Sequence, residues 1–146
     1  MDDATLMLAI KGLGLKITPK RLEILRILSE ELYYLSPEDI WKRMQSKFES
    51  IGLPTVYRNL EELSRGGVIY KVIHPDRRLY YFYCPNKGHH HHFVCIACRK
   101  VEDINFCEVE RISNEIEMVL KGRLLSHILQ VFGLYRVCSN SSLISG

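Results

Sequence analysis

The segment from Cys84 to Cys98 constrains this chain most, because its fifteen residues hold three cysteines and four consecutive histidines. Thiolates and imidazoles are the ligands that zinc and the late first-row metals prefer. The histidine run lies inside the chain and is only four residues long, which is not typical of a purification tag. A solvated polar turn with an incidental histidine run is the alternative. The density of ligands favours metal binding.

The residues on either side of the histidines, at positions 80–83 and 93–94, are aromatic or β-branched, which predicts extended structure. Successive side chains of a strand point to opposite faces. We therefore expect the histidines to divide into two pairs, His89 with His91 and His90 with His92. One strand would then supply ligands to two separate metal sites.

The chain has 146 residues, of which 47% are hydrophobic, enough for one domain or two small ones. No run of apolar residues is long enough to predict a membrane-spanning helix. The start, Met1-Asp2-Asp3, is acidic where a secretory signal is basic, and this predicts a cytoplasmic protein. Five cysteines in a reducing compartment indicate metal ligands or free thiols rather than disulfides. The polar tail from Ser139 onward is predicted to be disordered.

The net charge of +3 lies wholly in residues 1–88, which hold 14 basic and 11 acidic residues. Residues 89–146 hold 6 of each. This asymmetry is a weak indication that the first part binds nucleic acid. Solvated charged faces are the ordinary explanation.

The first 66 residues have the spacing and caps of three or four short helices. Thr18-Pro19 and Ser36-Pro37 are typical helix starts, and a further helix is predicted from Pro54 to Gly66. Two strand-like runs, 68–74 and 78–84, follow and predict a hairpin.

Short helices followed by a hairpin indicate a winged helix-turn-helix, with the helix from Pro54 in the DNA major groove. The exposed side of that helix would carry Thr55, Tyr57, Arg58 and Glu61. Tyr57 could contact a thymine methyl group, and Arg58 a guanine edge or a phosphate. The alternative is that Tyr57 and Arg58 are ordinary surface residues.

Residues 85–88 are predicted to be a linker, followed by strands through 93–94 and 101–104 and a helix over 108–120. A last strand is predicted from about Ile128 to Cys138. The predicted fold class is α+β, an N-terminal winged helix-turn-helix domain plus a small C-terminal α/β dimerisation domain. The predicted boundaries are 1–84 for the DNA-binding domain, 85–88 for the hinge, and 89–146 for the dimerisation and metal-binding domain.

Four motifs together resemble the ferric uptake regulator superfamily of bacterial metal-sensing transcription factors. They are residues 14–21 (Gly-Leu-Lys-Ile-Thr-Pro-Lys-Arg), residues 54–60 (Pro-Thr-Val-Tyr-Arg-Asn-Leu), the segment from His89 to Cys98, and Gly133. The resemblance implies a homodimeric, metal-responsive repressor of double-stranded operator DNA that has no enzymatic activity, membrane partner or small-molecule substrate. It also implies zinc as the metal, with iron or manganese possible at the sensory site.

By resemblance, Lys16 reaches the minor groove while Tyr57 and Arg58 read the major groove. Lys20 and Arg21 would join Lys16 in neutralising phosphates. Thr55 belongs to the same DNA-binding set.

The resemblance implies up to three metal positions. The dimerisation-domain site is matched in full by His89, His91, Glu110 and His127. The hinge sensory site is matched in part by Cys84, His90, His92 and Asp103, a spacing similar to that of the zinc uptake regulator branch. Two further hinge-ligand positions used by different branches hold Tyr34 and Tyr70, and His74 is a nearby substitute.

A structural four-cysteine site is matched only by Cys95, Cys98 and Cys138, because Tyr135 stands where the remaining cysteine is expected. Cys107 is a candidate replacement. Because a structural zinc needs four closed ligands, we expect no tightly held zinc on Cys95 and Cys98.

Several alternatives stay open from the sequence. Iron, manganese or peroxide sensing is compatible with the hinge residues, as is a divergent regulator with weak metal dependence. A thiol-disulfide oxidoreductase could use Cys95 and Cys98, but that motif is expected between a strand and a helix. A zinc deaminase would need a His-x-Glu and a Pro-Cys-x-x-Cys motif, and the sequence contains neither.

Overall fold

The computed structural model describes residues 2–86 and 88–139, which divide into two units. The first unit contains the described residues up to Pro85 together with 98–101, and the second contains 86–97 and the described residues from Glu102 onward. Lys87 of the predicted linker and the tail from Asn140 lie outside the described residues. Helices with a hairpin in one unit, and a sheet with helices in the other, confirm the predicted α+β class.

The first unit has four helices followed by an antiparallel hairpin. These elements are α1 (Asp3–Gly12), α2 (Pro19–Glu30), α3 (Pro37–Met44), α4 (Leu53–Arg65), β1 (Ile69–Ile73) and β2 (Leu79–Tyr83).

The helix starts follow the capping chemistry expected from the sequence. Thr18 Oγ1 accepts a hydrogen bond of 3.1 Å from the Arg21 backbone nitrogen, and Pro19 is the first residue of α2. At α3, Ser36 and Asp39 form a reciprocal capping box with two hydrogen bonds of 3.1 Å. Both contacts satisfy backbone donors that a helix leaves unpaired at its first turn.

The core of the first unit fixes which side of α4 faces outward. Val56, Leu60 and Leu63 are buried against the other helices and against the hairpin. Val56 and Leu60 are four residues apart, and Leu60 and Leu63 are three apart. These spacings place the three side chains on one face of the helix. The opposite face, which includes Arg58, is thereby left toward solvent.

The second unit contains a three-stranded sheet in the order β4-β3-β5, with β5 parallel to β3. Its elements are β3 (His91–Cys95), β4 (Val101–Ile104, all but its first residue in this unit), α5 (Val109–Val119), β5 (Gln130–Gly133) and α6 (Arg136–Ser139).

The last strand, β5, ends at Gly133 and not near Cys138, so the strand predicted from the sequence was too long. Gly133 pairs with Cys95, the last residue of β3, so the chain beyond Gly133 has no further residue of β3 to pair with. The chain instead turns into α6, where the backbone nitrogens of Cys138 and Ser139 both donate to Tyr135 O at 2.9 Å.

None of the residues of α5, all of which lie in the described part of the chain, is buried. Large apolar side chains on and after this helix are exposed, including Ile112, Met118, Leu120, Leu125 and Ile128. A chain of this size rarely leaves so many apolar side chains in one region without a partner surface. Among the described residues, no helix is long and apolar enough to cross a membrane.

Candidate metal centres and nucleic-acid interface

The four consecutive histidines separate into two pairs, as the alternation of strand side chains predicts. The ring centroids of His89 and His91 are 4.8 Å apart, and those of His90 and His92 are 4.5 Å apart. The Nε2 atoms of His90 and His92 approach to 3.0 Å. Each pair can therefore direct two imidazole nitrogens at one point.

The first pair belongs to a group that we call the imidazole–thiol cluster, which consists of His89, His91, Cys107 and His127. One potential ligand atom from each of the four lies within 4.8 Å of the other three. His127 comes from the segment before β5, and Cys107 from the loop between β4 and α5. Three chain segments thus converge on one point of the second unit.

Glu110, predicted as the fourth ligand beside these histidines, lies in the first turn of α5. It lines a separate surface pocket with Val109, Ser113, Asn114 and Leu124. Within the described residues, the ligand atoms that converge on the histidines come from Cys107 and not from Glu110. A metal-binding role for Glu110 stays a prediction.

Cys107, the candidate replacement in the cysteine site, joins a different group of side chains. Its sulfur instead faces histidines, with Nε2 of His89 at 3.2 Å. The sequence signal was a cysteine three residues before a predicted ligand, but only the folded loop shows which group it joins.

The second pair, His90 and His92, meets the carboxylate of Asp103 on β4. Asp103 Oδ1 is 3.4 Å from His92 Nε2 and 3.7 Å from His90 Nε2. Asn86 Nδ2 donates to the other carboxylate oxygen at 3.0 Å, and His90 Nδ1 lies 2.6 Å from the carbonyl oxygen of Gly88. Such outer contacts orient a ligand and fix which imidazole nitrogen is available to a metal.

Burial favours the neutral form of the two central histidines, His91 and His92. His91 and His92 are only 4% and 6% exposed. Burial lowers the pKa of His91, and the neighbouring His89 lowers it further. Burial is also the largest cause that lowers the pKa of His92, followed by the charge of His90. A neutral imidazole keeps the lone pair that a metal needs.

Cys84, the remaining predicted hinge ligand, is buried and follows β2 in the first unit. The two tyrosines at family ligand positions pack within the same unit. Tyr34 Oη is 2.9 Å from His74 Nε2, and Tyr70 stacks on Phe82 with ring centroids 5.6 Å apart.

The other ring nitrogen of His74 is also engaged. Its Nδ1 lies 3.0 Å from the backbone nitrogen of Asp76 and 2.9 Å from Asp76 Oδ1. His74 therefore has structural partners on both ring nitrogens, which disfavours it as a substitute metal ligand.

The predicted cysteine site is represented in the second unit by Cys95 and Cys138, whose sulfurs lie within 4.8 Å of each other. Cys98 is an exposed residue of the turn that follows β3. Tyr135 donates a hydrogen bond of 2.5 Å to Glu102 Oε2 and packs edge-on against Phe93. Occupancy of the cysteine site stays a prediction.

The predicted DNA-reading residues all lie on or before helices of the first unit. Thr55 and Tyr57 are partly exposed on α4, and Arg58 is exposed. Lys16 is exposed in the segment before α2. A side chain that the sequence did not single out, Glu38 of α3, accepts a hydrogen bond from the Tyr57 hydroxyl.

Lys20 and Arg21, which were predicted together as phosphate contacts, differ in their surroundings. The Arg21 guanidinium forms an ion pair with Glu62 of α4, and its Nη1 donates at 2.6 Å to the carbonyl oxygen of Lys16. Its side chain is only 12% exposed. Arg21 thus holds the segment before α2 against α4, while its role in DNA binding stays a prediction.

Comparisons with known proteins agree with this arrangement. A profile of the ferric uptake regulator family matches residues 12–132. The chain is 34% identical over 126 residues to the ferric uptake regulation protein of Escherichia coli K12, an alignment that covers 86% of this chain and 84% of that protein.

Solved structures show the same fold. The chain is similar to the Helicobacter pylori ferric uptake regulator, whose structure reveals three functional metal-binding sites, with a TM-score of 0.67, 26% identity and coverage of 97% of both chains. It is similar also to a zinc uptake regulator in complex with zinc and DNA, with a TM-score of 0.75, 25% identity and coverage of 94% of this chain and 92% of that one. With a family profile that spans most of its length and two histidine clusters around the start of β3, the chain belongs to the ferric uptake regulator family and is a metal-responsive transcription regulator, not an enzyme.

Proposed function

We propose that this chain is a cytoplasmic, homodimeric repressor that binds double-stranded operator DNA when it holds zinc. The observation that carries the proposal is the run His89–His92, which leads into β3 and divides its histidines between two clusters, with Cys107 beside one pair and Asp103 beside the other. Imidazole and thiolate ligands favour zinc over the harder divalent metals.

The sensory metal would be bound by Cys84, His90, His92 and Asp103, at the hinge predicted over 85–88. Metal binding at such a site acts by linkage, because the ion stabilises one arrangement of the DNA-binding domain, residues 1–84, relative to the dimerisation domain, residues 89–146. The favoured arrangement is the one in which two copies reach two operator half-sites. Zinc can shift this equilibrium only by the difference between its affinities for the two states.

Homodimerisation is supported by the exposed apolar surface of the second unit. Leu120, Leu125 and Ile128 are each at least 70% exposed. A second copy of this chain is the partner that the family resemblance implies, and the two-fold contact would cover the same patch on both copies. DNA binding is supported by the outward face of α4, which presents Tyr57 and Arg58 away from the buried Val56 and Leu60.

Iron or manganese at the hinge is a second candidate, and Asp103 is the observation that favours it. Its carboxylate lies beside two histidines, and carboxylate oxygen suits these metals better than it suits zinc in a thiolate-rich site.

The test begins with protein purified without added metal and then loaded in parallel with zinc, iron(II) or manganese(II). Genomic DNA fragments retained by each form are selected, and the affinity for the best fragment is measured with every metal. We expect zinc to raise the affinity at least about tenfold, which corresponds to about 1.4 kcal/mol of coupling. A larger effect from iron(II) or manganese(II) would support the second candidate, and equal binding with and without metal would contradict both.

A further inference from the structure

Cys107 lies where a metal-binding thiolate would complete a set of three imidazoles. Its Sγ is 3.2 Å from Nε2 of His89 and 3.5 Å from Nε2 of His127. Nε2 of His127 is in turn 3.3 Å from Nε2 of His91. The potential ligand atoms therefore face one another at close range rather than facing solvent separately.

The three rings are arranged symmetrically about that point. Their centroids are separated by 4.8, 4.9 and 5.0 Å, which makes a nearly equilateral triangle. His91 is buried, and His127 and Cys107 are partly buried.

These separations fit the ligand edges of a tetrahedral zinc ion. With zinc–nitrogen bonds of about 2.05 Å and a zinc–sulfur bond of about 2.3 Å, two nitrogens lie about 3.3 Å apart and a nitrogen and a sulfur about 3.5 Å apart. Three separations can be compared with those edges: His91 to His127, His127 to Cys107, and Cys107 to His89. Each agrees with the expected edge to within a few tenths of an ångström.

The alternative oxygen ligand is placed elsewhere. Glu110 is the second residue of α5 and lines the pocket that contains Ser113 and Leu124. Cys107 precedes the helix, and the described loop brings its sulfur to the histidines before α5 begins.

We infer that the thiolate of Cys107, and not the carboxylate of Glu110, is the fourth ligand of this site, which makes it a closed site of three nitrogens and one sulfur. The inference rests on the proposed metal binding and specifies its chemistry. A thiolate in the coordination sphere selects zinc and cobalt(II) over manganese and magnesium. Four protein ligands with no open position are typical of a structural site, which holds the loop before α5 and the segment before β5 onto β3.

The test uses the full-length chain loaded with cobalt(II), because a cobalt-bound thiolate gives a near-ultraviolet charge-transfer band that a carboxylate does not. Spectra of wild type, Cys107→Ser, Glu110→Gln and His127→Ala are compared at equal protein concentration. The other cysteines contribute equally to all four, so the differences isolate this site. We expect Cys107→Ser to lose the same part of the charge-transfer band as His127→Ala, and Glu110→Gln to keep the wild-type band.

Zinc affinity and thiol protection give independent measurements on the same proteins. Loss of even an outer contact to a metal ligand costs about 10- to 100-fold in affinity, so Cys107→Ser should weaken zinc binding by more than about 100-fold and Glu110→Gln by less than about tenfold. In zinc-loaded wild type, Cys107 should resist alkylation, and His127→Ala should expose it. Circular dichroism confirms that each variant is folded.

Each remaining outcome overturns the inference. If Cys107→Ser keeps the full band while Glu110→Gln weakens cobalt binding, the ligand is Glu110 and metal binding at the cluster survives. If His127→Ala changes neither cobalt binding nor the spectrum, the cluster holds no metal. Neither result depends on the DNA-binding measurement that tests the proposed function.

Discussion

The hydroxyl of Tyr57 donates a hydrogen bond of 2.8 Å to Glu38 Oε1, joining the outward face of α4 to the first turn of α3. This bond is the largest cause that lowers the pKa of Glu38 and the largest that raises the pKa of Tyr57. The proposed DNA-reading ring is therefore held by an ionised carboxylate. The side chain is partly exposed, while its hydroxyl is already engaged.

The contact leads to a prediction about which part of Tyr57 reads DNA. Tyr57→Ala should lose about 1–3 kcal/mol of specific binding, because the ring no longer meets a thymine methyl group. Tyr57→Phe keeps the ring and loses only the bond to Glu38, so its affinity should stay within about threefold of wild type. Fluorescence anisotropy with the selected DNA fragment measures both. An equal loss in the two variants would show that the hydroxyl, not the ring, makes the DNA contact.

Removing the side chains of Arg58 and Lys16 should weaken DNA binding in different ways, one dependent on the DNA sequence and the other on the salt concentration. Arg58→Ala should lose about 1–3 kcal/mol on the selected fragment and relax the preference at one base position. Lys16→Ala should weaken binding to specific and random DNA alike and reduce the slope of log K against log salt by about one. Titrations at several salt concentrations with both DNA types separate these roles. Identical behaviour of the two variants would contradict the assignment.

Arg21 and Lys20 provide a matched pair that separates fold stability from DNA binding. Arg21→Ala removes a charged partner from Glu62 and a donor from the carbonyl oxygen of Lys16, so it should lower the free energy of unfolding by about 1–3 kcal/mol. Lys20→Ala should leave stability within about 0.5 kcal/mol of wild type and weaken DNA binding with a smaller salt slope. Urea unfolding of both variants is the measurement, and an Arg21→Ala protein as stable as wild type would contradict this role.

The two histidine clusters should have different functions. Cys84→Ser, His90→Ala and His92→Ala should abolish metal-stimulated DNA binding and leave the dimer intact. His89→Ala, His91→Ala and His127→Ala should instead lower thermal stability or dissociate the dimer, because they release segments that metal holds onto the sheet. Sedimentation and operator binding of both groups decide the question. Similar behaviour of the groups would show that the two clusters are not functionally separate.

The Glu61 carboxylate should make the stability of the folded protein depend on pH in the acid range. Its Oε1 accepts hydrogen bonds from Lys71 Nζ at 2.7 Å and from the Tyr81 hydroxyl at 2.8 Å, and these partners, Lys71 first, lower its pKa from the ordinary 4.5. A carboxyl group whose pKa is lower in the folded state stabilises the fold above its unfolded pKa and loses that contribution as the pH falls through the folded value. Glu61→Gln should therefore destabilise the protein at pH 7, and the difference from wild type should shrink as the pH falls below about 4.

Urea unfolding at pH 7 and at a pH below about 4 tests this prediction. Glu49 is exposed, and Glu49→Gln serves as the matched control. The control should show little difference from wild type at either pH. A Glu61→Gln deficit that persists unchanged at low pH would mean that the side chain contributes by packing rather than by charge.

Local chemistry in the sequence was sufficient for most of the elements. The caps at Thr18 and Ser36 act over three residues, so they could be predicted without knowledge of the fold. The separation of the histidines into two pairs agrees with the two-residue period expected of extended chain, although only His91 and His92 lie in β3. The end of β5 was misjudged because it depends on where β3, its partner strand, ends.

The sequence by itself determined the family, the α+β class and the types of the candidate ligands, because these depend on residue identities at short spacings. Only the tertiary structure decided which ligands meet. Cys107 is 18 residues from His89 and 20 from His127, and its place beside them depends on the folded path of the loop between β4 and α5. The same holds for Arg21 with Glu62, 41 residues apart, and for Tyr57 with Glu38, 19 residues apart. Such partners are brought together by packing of the apolar faces, which fixes the distance between polar groups that the sequence pattern leaves undefined.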